Sequence, residues 1–249
     1  MSMSVLEALA ITGAGLAAGT INTVVGSGSL ITFPTLLAFG FPAVLANVSN
    51  TVGLVPGSVS GVIAYRRELS GQSRRLAVLC AAAAIGGGCG AGLLLALPHS
   101  VFREVVPALI LVACVLVALQ PLLAKRAARA PRAHGGPTLF TSVVGTAIYG
   151  GYFGAAQGVI LISLLGIFLD DDIQRLNATK NVLALVVNAV AALVFIALSH
   201  VAWEAAGLLA AGAVVGGQLG GAVGRRLGRV WLRGAIIAVG VTAAIVLLV

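Results

Sequence analysis

Apolar runs long enough to cross a bilayer recur along this chain, and nearly all of its charge falls between them. A helix of about 20 apolar residues spans the ~30 Å hydrocarbon core. Backbone at that depth must satisfy its own hydrogen bonds. The pattern therefore predicts an all-α polytopic membrane protein. Clean spans are expected at 42–64, 76–97, 105–124, 178–198, 204–224 and 231–249. Only 9% of the 249 residues are charged, while 59% are hydrophobic. A soluble domain carries roughly 25% charged residues, so this chain cannot cover a water-facing surface. Soluble enzymes, nucleic-acid modules and disordered chains are excluded. The net charge of +8 is no sign of a nucleic-acid partner here, because the positive residues sit in short loops, where they orient helices. The lipid bilayer is the expected surroundings.

Two apolar stretches, 5–40 and 138–169, are too long for one helix and a little short for two full crossings. Charge decides how they run. Arg66, Arg67, Arg74 and Arg75 share one loop, Lys125, Arg126, Arg129 and Arg132 a second, and Arg225, Arg226, Arg229 and Arg233 a third. All three are expected on the cytoplasmic side, and the tips at 98–104 and 199–204 outside. That parity holds only if 138–169 enters and leaves on the cytoplasmic side, as a hairpin. A matching hairpin at 5–40 places both termini outside. Met1–Glu7 lacks the basic residues of a secretory signal, so the first stretch is expected to be retained.

The halves align without a gap when each position is set against the one 130 further on. Asn47-Val48-Ser49 meets Asn177-Ala178-Thr179, Gly28 meets Gly158, Gly86, Gly87 and Gly90 meet Gly216, Gly217 and Gly220, and Arg103 meets Arg233. The expected organisation is an N-terminal repeat at 1–124, a cytoplasmic linker at 125–137 and a C-terminal repeat at 138–249. Each repeat is a broken-helix hairpin plus three transmembrane helices. Three crossings is an odd number, so the second copy is inverted. Inverted repeats with interrupted helices mark transporters, with the substrate near the midplane.

Hairpin arms of about 13–16 residues carry each tip past the midplane. The first tip is Asn22–Ser29 and the second Tyr149–Gly158. The second arm of each hairpin starts at its tip, so a helix N-terminus, with free N–H groups and the positive end of its dipole, faces inward and suits an anion. Polar stripes run from the following spans towards the tips. The candidate substrate-binding residues are Asn22, Ser27, Gly28 and Ser29, then Asn47, Asn50 and Thr51, then Gln157 and Gly158, and finally Asn177, Lys180 and Asn181. Lys180 is the one basic residue well inside a span. It is either a counter-charge for substrate or a side chain reaching the cytoplasmic surface or Asp170, Asp171 or Asp172. Asn188 reads as a bond between helices.

Cys80, Cys89 and Cys114 read as buried small hydrophobes, and the glycine runs Gly86–Gly90 and Gly216–Gly220 as sites of close helix packing. His99, His134 and His200 fall in separate loops, so no metal or other cofactor is expected. No Ser/His/Asp set, paired aspartates or HExxH motif is present, and no catalytic residue is expected.

Gly19-Thr-Ile-Asn-Thr-Val-Val-Gly-Ser-Gly-Ser-Leu-Ile-Thr-Phe-Pro-Thr-Leu with Asn47-Val-Ser-Asn-Thr, and Tyr149-Gly-Gly-Tyr-Phe-Gly-Ala-Ala-Gln-Gly-Val with Asn177-Ala-Thr-Lys-Asn, resemble the TauE/SafE family of sulfite exporters and related anion permeases. The resemblance covers nearly the whole chain. It implies a carrier in the bacterial cytoplasmic membrane for sulfite, a sulfonate, sulfoacetate or a similar anion. The function expected is secondary transport of a small sulfur-containing anion by alternating access. An anion channel, or an intramembrane enzyme or scaffold, is the alternative.

Overall fold

A computed structural model describes residues 3–129 and 136–223, with Gly234, Ile237, Ala238 and Val241 beyond them. The span expected at 231–249 (apart from those four residues), the loop of Arg225, Arg226, Arg229 and Arg233, and linker residues 130–135 lie outside the described residues.

Among the described residues there are only helices, turns and loops: α1 (Val5–Val24), α2 (Ser29–Ala38), α3 (Ala43–Ala64), a short 3-10 turn at Arg66–Leu69, α4 (Ser73–Ala96), α5 (His99–Arg129), α6 (Pro137–Tyr152), α7 (Gln157–Phe168), α8 (Ile173–Leu198) and α9 (Trp203–Val223). Several begin before the apolar run does. The hydropathy pattern marks where lipid starts, whereas a helix continues into the interface as long as its ends are capped. Ser4 and Glu7 cap α1 reciprocally, Glu7 N–H donating to Ser4 Oγ at 3.2 Å and Ser4 N–H to Glu7 Oε2 at 2.8 Å. Asp172 accepts from Gln174 N–H at 2.8 Å and starts α8.

Among the described residues, five helices are long and apolar enough to span a membrane, namely α1, α4, α5, α8 and α9. This is a multi-pass membrane protein. Two expectations change. The hairpin arms are unequal, with 20 residues in α1 against 10 in α2, and 16 in α6 against 12 in α7. The breaks that fix those lengths lie late in each hairpin, at Val25–Gly28 and Phe153–Ala156. And α3, though 22 residues long, is too polar to count as a clean span, because Asn47, Ser49, Asn50, Thr51, Ser58 and Ser60 all lie within it.

In lipid, helices gain little from apolar contact and associate through close packing of small residues. The first arm of each hairpin packs on a helix of the other half, α1 on α9 and α6 on α4. A Cβ built on Gly216 would sit 2.1 Å from Leu16 O, and one on Gly90 would sit 2.1 Å from Ile148 O. These backbones touch with no room for a methyl group. Further contacts recur at the offset that relates the two halves: α3 on α9 and α8 on α4, α2 on α3 and α7 on α8, with α3 on α8 at the centre. Of the cysteines, Cys114 is buried and Cys80 half-buried, but Cys89 is exposed. It lies on the outer stripe of α4 with Val78 and Ile85, where lipid suits a small thiol as well as a core does.

Both ends of the second hairpin lie at the end of the bundle that carries the Arg66–Arg75 loop. Asp171, in the turn after α7, pairs with Arg75 at the start of α4, and Thr179 Oγ1 donates to Gln72 Oε1 at 3.1 Å. At the opposite end Ala202 N–H donates to Ser49 Oγ at 2.9 Å. Positions 49 and 179, and 72 and 202, correspond in the two halves.

Candidate functional site

The two hairpins meet backbone to backbone. Gly158 N–H donates to Gly26 O at 3.0 Å. A Cβ on Gly26 would lie 2.4 Å from Gly158 Cα, and one on Gly158 would lie 2.5 Å from Gly26 Cα. Gly26 also has φ +89°, a conformation that side chains with a Cβ resist. Asn22 Oδ1 accepts from Gly28 N–H at 2.6 Å and so fixes the break before α2. In the second tip Tyr149 donates its hydroxyl to Ala155 O at 2.6 Å. Ala156, among the described residues the single non-glycine with positive φ (58°), directly precedes Gln157. Such a conformation in an L-residue costs about 1–2 kcal/mol, which the packing of the tip must offset. The Gln157 side chain lies where a Cβ on Gly150 would go.

Beside this contact lies a cavity of about 30 Å³, lined by residues of both tips and of α3 and α8. Asn22, Ser29, Gln157, Gly158 and Asn181, all expected at the site, line it. Gln157 is 3% exposed, and its Nε2 is buried without a hydrogen bond. Ser27 Oγ in the other tip is also buried and unpartnered, though Ser27 and Gly28 do not line the cavity. Thr23, Ser58, Gly61 and Asn188 do line it. Ser58 and Gly61 were legible in principle, since stepping along α3 from Asn47 and Thr51 by three and four residues reaches them.

Asn47, Asn177, Lys180 and Asn181 hold the ends of hairpin helices. Asn177 Nδ2 donates to Thr23 O at 3.2 Å, Asn181 Nδ2 to the same oxygen at 3.3 Å, and Lys180 Nζ to Asn22 O at 3.0 Å and Thr23 O at 3.3 Å. These are among the last carbonyls of α1, which carry the negative end of its dipole. Lys180 is fully buried, so it does not reach the surface. In the other half Asn47 Nδ2 donates to Tyr152 O, the last residue of α6, at 3.0 Å. Thr51 Oγ1 donates to Asn47 O at 2.9 Å, and Thr32 Oγ1 donates to Asn50 Oδ1.

The helix N-termini are less open than expected. In α7, Gln157 N–H donates to Gly154 O at 3.3 Å, Gly158 N–H is taken by Gly26 O, and Val159 N–H donates to Ala156 O at 2.9 Å. The dipole ends of α2 and α7 still converge here, and among the side chains lining the cavity the buried donor without a partner is Gln157 Nε2.

On another side of the second tip four rings pack edge to face. Phe33 and Phe153 are 5.3 Å apart, Phe102 and Tyr152 5.6 Å, Phe102 and Phe153 6.1 Å, and Phe33 and Phe102 6.5 Å. These are favourable spacings for aromatic pairs.

Paired hairpins whose tips meet inside a bundle are the arrangement that the tip motifs imply, and residues 11–247 match the family model described as "Sulfite exporter TauE/SafE". The chain belongs to the TauE/SafE family. It is 29% identical over 216 residues to the "Probable membrane transporter protein YfcA" of Escherichia coli K12, covering 82% of this chain and 75% of that one. It is 23% identical over 221 residues to a "Probable membrane transporter protein" of Haemophilus influenzae, covering 88% and 86%. A third relative, the "Probable membrane transporter protein ORF9" of a Sinorhizobium species, is 24% identical over 237 residues, covering 94% and 90%. No solved structure matches this chain significantly.

Proposed function

We propose that this protein is a secondary transporter that carries a small sulfur-containing anion across the bacterial cytoplasmic membrane by alternating access, and that it is not an enzyme. The observation that carries this reading is Gln157: a buried amide donor without a partner, lining a cavity between two helix N-termini where two hairpins touch. A buried unpaired donor costs about 1–3 kcal/mol. An anion that accepts from it would recover that cost and would also gain from the two dipole ends. The family supports the substrate class, sulfite or a sulfonate. The cavity has room for about two waters, so loading a larger anion requires the tips to part. The recurrence of helix contacts and caps at one constant offset supports two inverted repeats, one moving against the other. The arginine-rich end is the cytoplasmic side in this reading, and both termini are outside.

The test is counterflow of labelled sulfite into proteoliposomes, with sulfoacetate, sulfate and acetate as competitors. Saturable exchange inhibited by sulfur anions is expected. A hydrogen bond to a charged group contributes about 1.5–3 kcal/mol, so Gln157→Ala should weaken apparent affinity roughly 10- to 150-fold while reconstituting normally. Unsaturating conductance would favour a channel. Wild-type exchange in Gln157→Ala would remove the tip site.

A further inference from the structure

A second cavity, of about 730 Å³, opens at the arginine-rich end between the start of α4, the first turn of α6 and the turn from α7 to α8. Arg74, Arg75 and Arg175 line it, against one carboxylate, Asp171. That carboxylate is already shared, accepting from Arg175 Nε at 3.0 Å and from Arg75 Nη2. Arg75 Nε is buried and makes no hydrogen bond. The cavity thus carries a surplus of positive charge and a desolvated donor that no acceptor satisfies, a combination that selects an anion with several oxygens.

The rest of the lining is largely apolar. Leu79, Leu139 and Leu169 belong to it and are buried. At Val78 the lining passes onto the outer face of α4, where Val78 and Ile85, two turns apart, are 53% and 54% exposed. A soluble oxyanion has no use for this strip. A phospholipid has, because its phosphate sits at the depth where apolar helices end and its chains run alongside them. Basic pockets between helices at the cytoplasmic surface suit such headgroups.

We propose that this cavity binds the headgroup phosphate of an anionic phospholipid, with Arg74, Arg75 and Arg175 as donors and an acyl chain along Val78 and Ile85. None of its lining residues lines the cavity at the hairpin tips, and the site stands without the transport reading. It joins α4 to the turn before α8, so an occupied site favours the arrangement in which the two are held together.

The full-length protein, purified in neutral detergent, is melted with added phosphatidylglycerol, with phosphatidylcholine and with inorganic phosphate alone. Phosphatidylglycerol should raise the melting temperature by roughly 5–10 °C over phosphatidylcholine at saturation, and millimolar phosphate should not reproduce the shift. The doubly substituted Arg74→Gln, Arg175→Gln protein should lose the difference between the two lipids. Because that difference is read within each protein, a lower intrinsic stability does not obscure it, and native mass spectrometry of retained phosphatidylglycerol gives a second readout. Equal stabilisation by both lipids, or a preference that survives in the double variant, overturns the proposal. Full stabilisation by phosphate alone also overturns it and makes the cavity a soluble-anion site.

Discussion

Replacing Gly158 by alanine tests whether the contact between the hairpin tips holds the centre of this protein together. The new methyl carbon would sit 2.5 Å from Gly26 Cα, whereas carbon atoms pack at about 3.5–4.0 Å. Roughly 1 Å must open, and both sides are backbone, so no side chain can rotate away. Overpacking of this kind costs about 1–3 kcal/mol. Separating the tips also breaks the bond from Gly158 N–H to Gly26 O, worth about 1 kcal/mol net. The expected loss is about 2–4 kcal/mol. At about 2–4 °C per kcal/mol for a chain of this size, the melting temperature should fall by roughly 4–16 °C.

Gly26→Ala meets the same contact at 2.4 Å and adds the strain of φ +89°, so it should cost more. The double variant should cost less than the sum of the two, since tips already forced apart accommodate the second methyl. Gly145→Ala is the control, because its Cβ meets nothing within 4 Å and alanine favours the helix. Thermal melts of the purified proteins, with sulfite exchange measured in parallel, decide the matter. A Gly158→Ala protein that melts within a degree of wild type, or a strictly additive double variant, would refute the reasoning.

Lys180→Met separates two roles for the buried lysine. If it anchors the end of α1, the variant loses about 2–4 kcal/mol of stability while sulfite affinity, measured on the folded protein, stays within about threefold; an unchanged melt with abolished binding would instead make it the counter-charge. Phe153→Ala removes the ring shared by Phe33 and Phe102 and should cost about 3–5 kcal/mol. It should also speed labelling of a cysteine placed at Ser27 by a membrane-impermeant thiol reagent, in a background lacking Cys80, Cys89 and Cys114, and unchanged labelling would deny the rings a sealing role.

Positions of the helices were legible because hydropathy reports the bilayer directly, and both hairpin breaks were legible because glycine clusters interrupt otherwise apolar runs. Helix ends were less so. The starts of α4, α5 and α8 precede their apolar stretches by a few residues, through polar sequence that propensity and capping keep helical. At the site, the sequence identified polar residues in apolar surroundings but not what each one faces. Asn177, Lys180 and Asn181 look like ligand groups in one dimension, yet their partners are carbonyls of Asn22 and Thr23 in the other half of the chain. An orphan carbonyl at a helix end attracts the same donors that an anion does, and only the fold tells the two apart. Gly158 shows the same ambiguity. Its absent side chain reads equally well as a turn or a contact, and the contact depends on Gly26.

Between the two halves, backbone and side chains part company. The helix-end caps correspond, with Asn47 on α6 and Asn177 on α1. The linings do not. Tyr152 and Phe153 occupy the places that Asn22 and Thr23 hold in the first half, and Phe33 occupies the place that Ser163 holds in the second. The second tip is therefore surrounded by rings that both halves contribute, while amides and hydroxyls stand at the matching places. In a carrier built as proposed, exchanging the conformations of the repeats produces the second access state, and with identical side chains the two states would have equal energy. In that carrier an anion approaching past the rings would meet a closely packed aromatic cluster, and one approaching past Asn22 and Thr23 would meet hydrogen-bonding groups that can replace its water. Parting four packed rings is the costlier of the two openings, and each increment of about 1.4 kcal/mol in that difference shifts the populations tenfold. In such a carrier the asymmetry would bias the unloaded state towards closure on the aromatic side, and a substrate would have to bind the rarer state more tightly to reverse that bias.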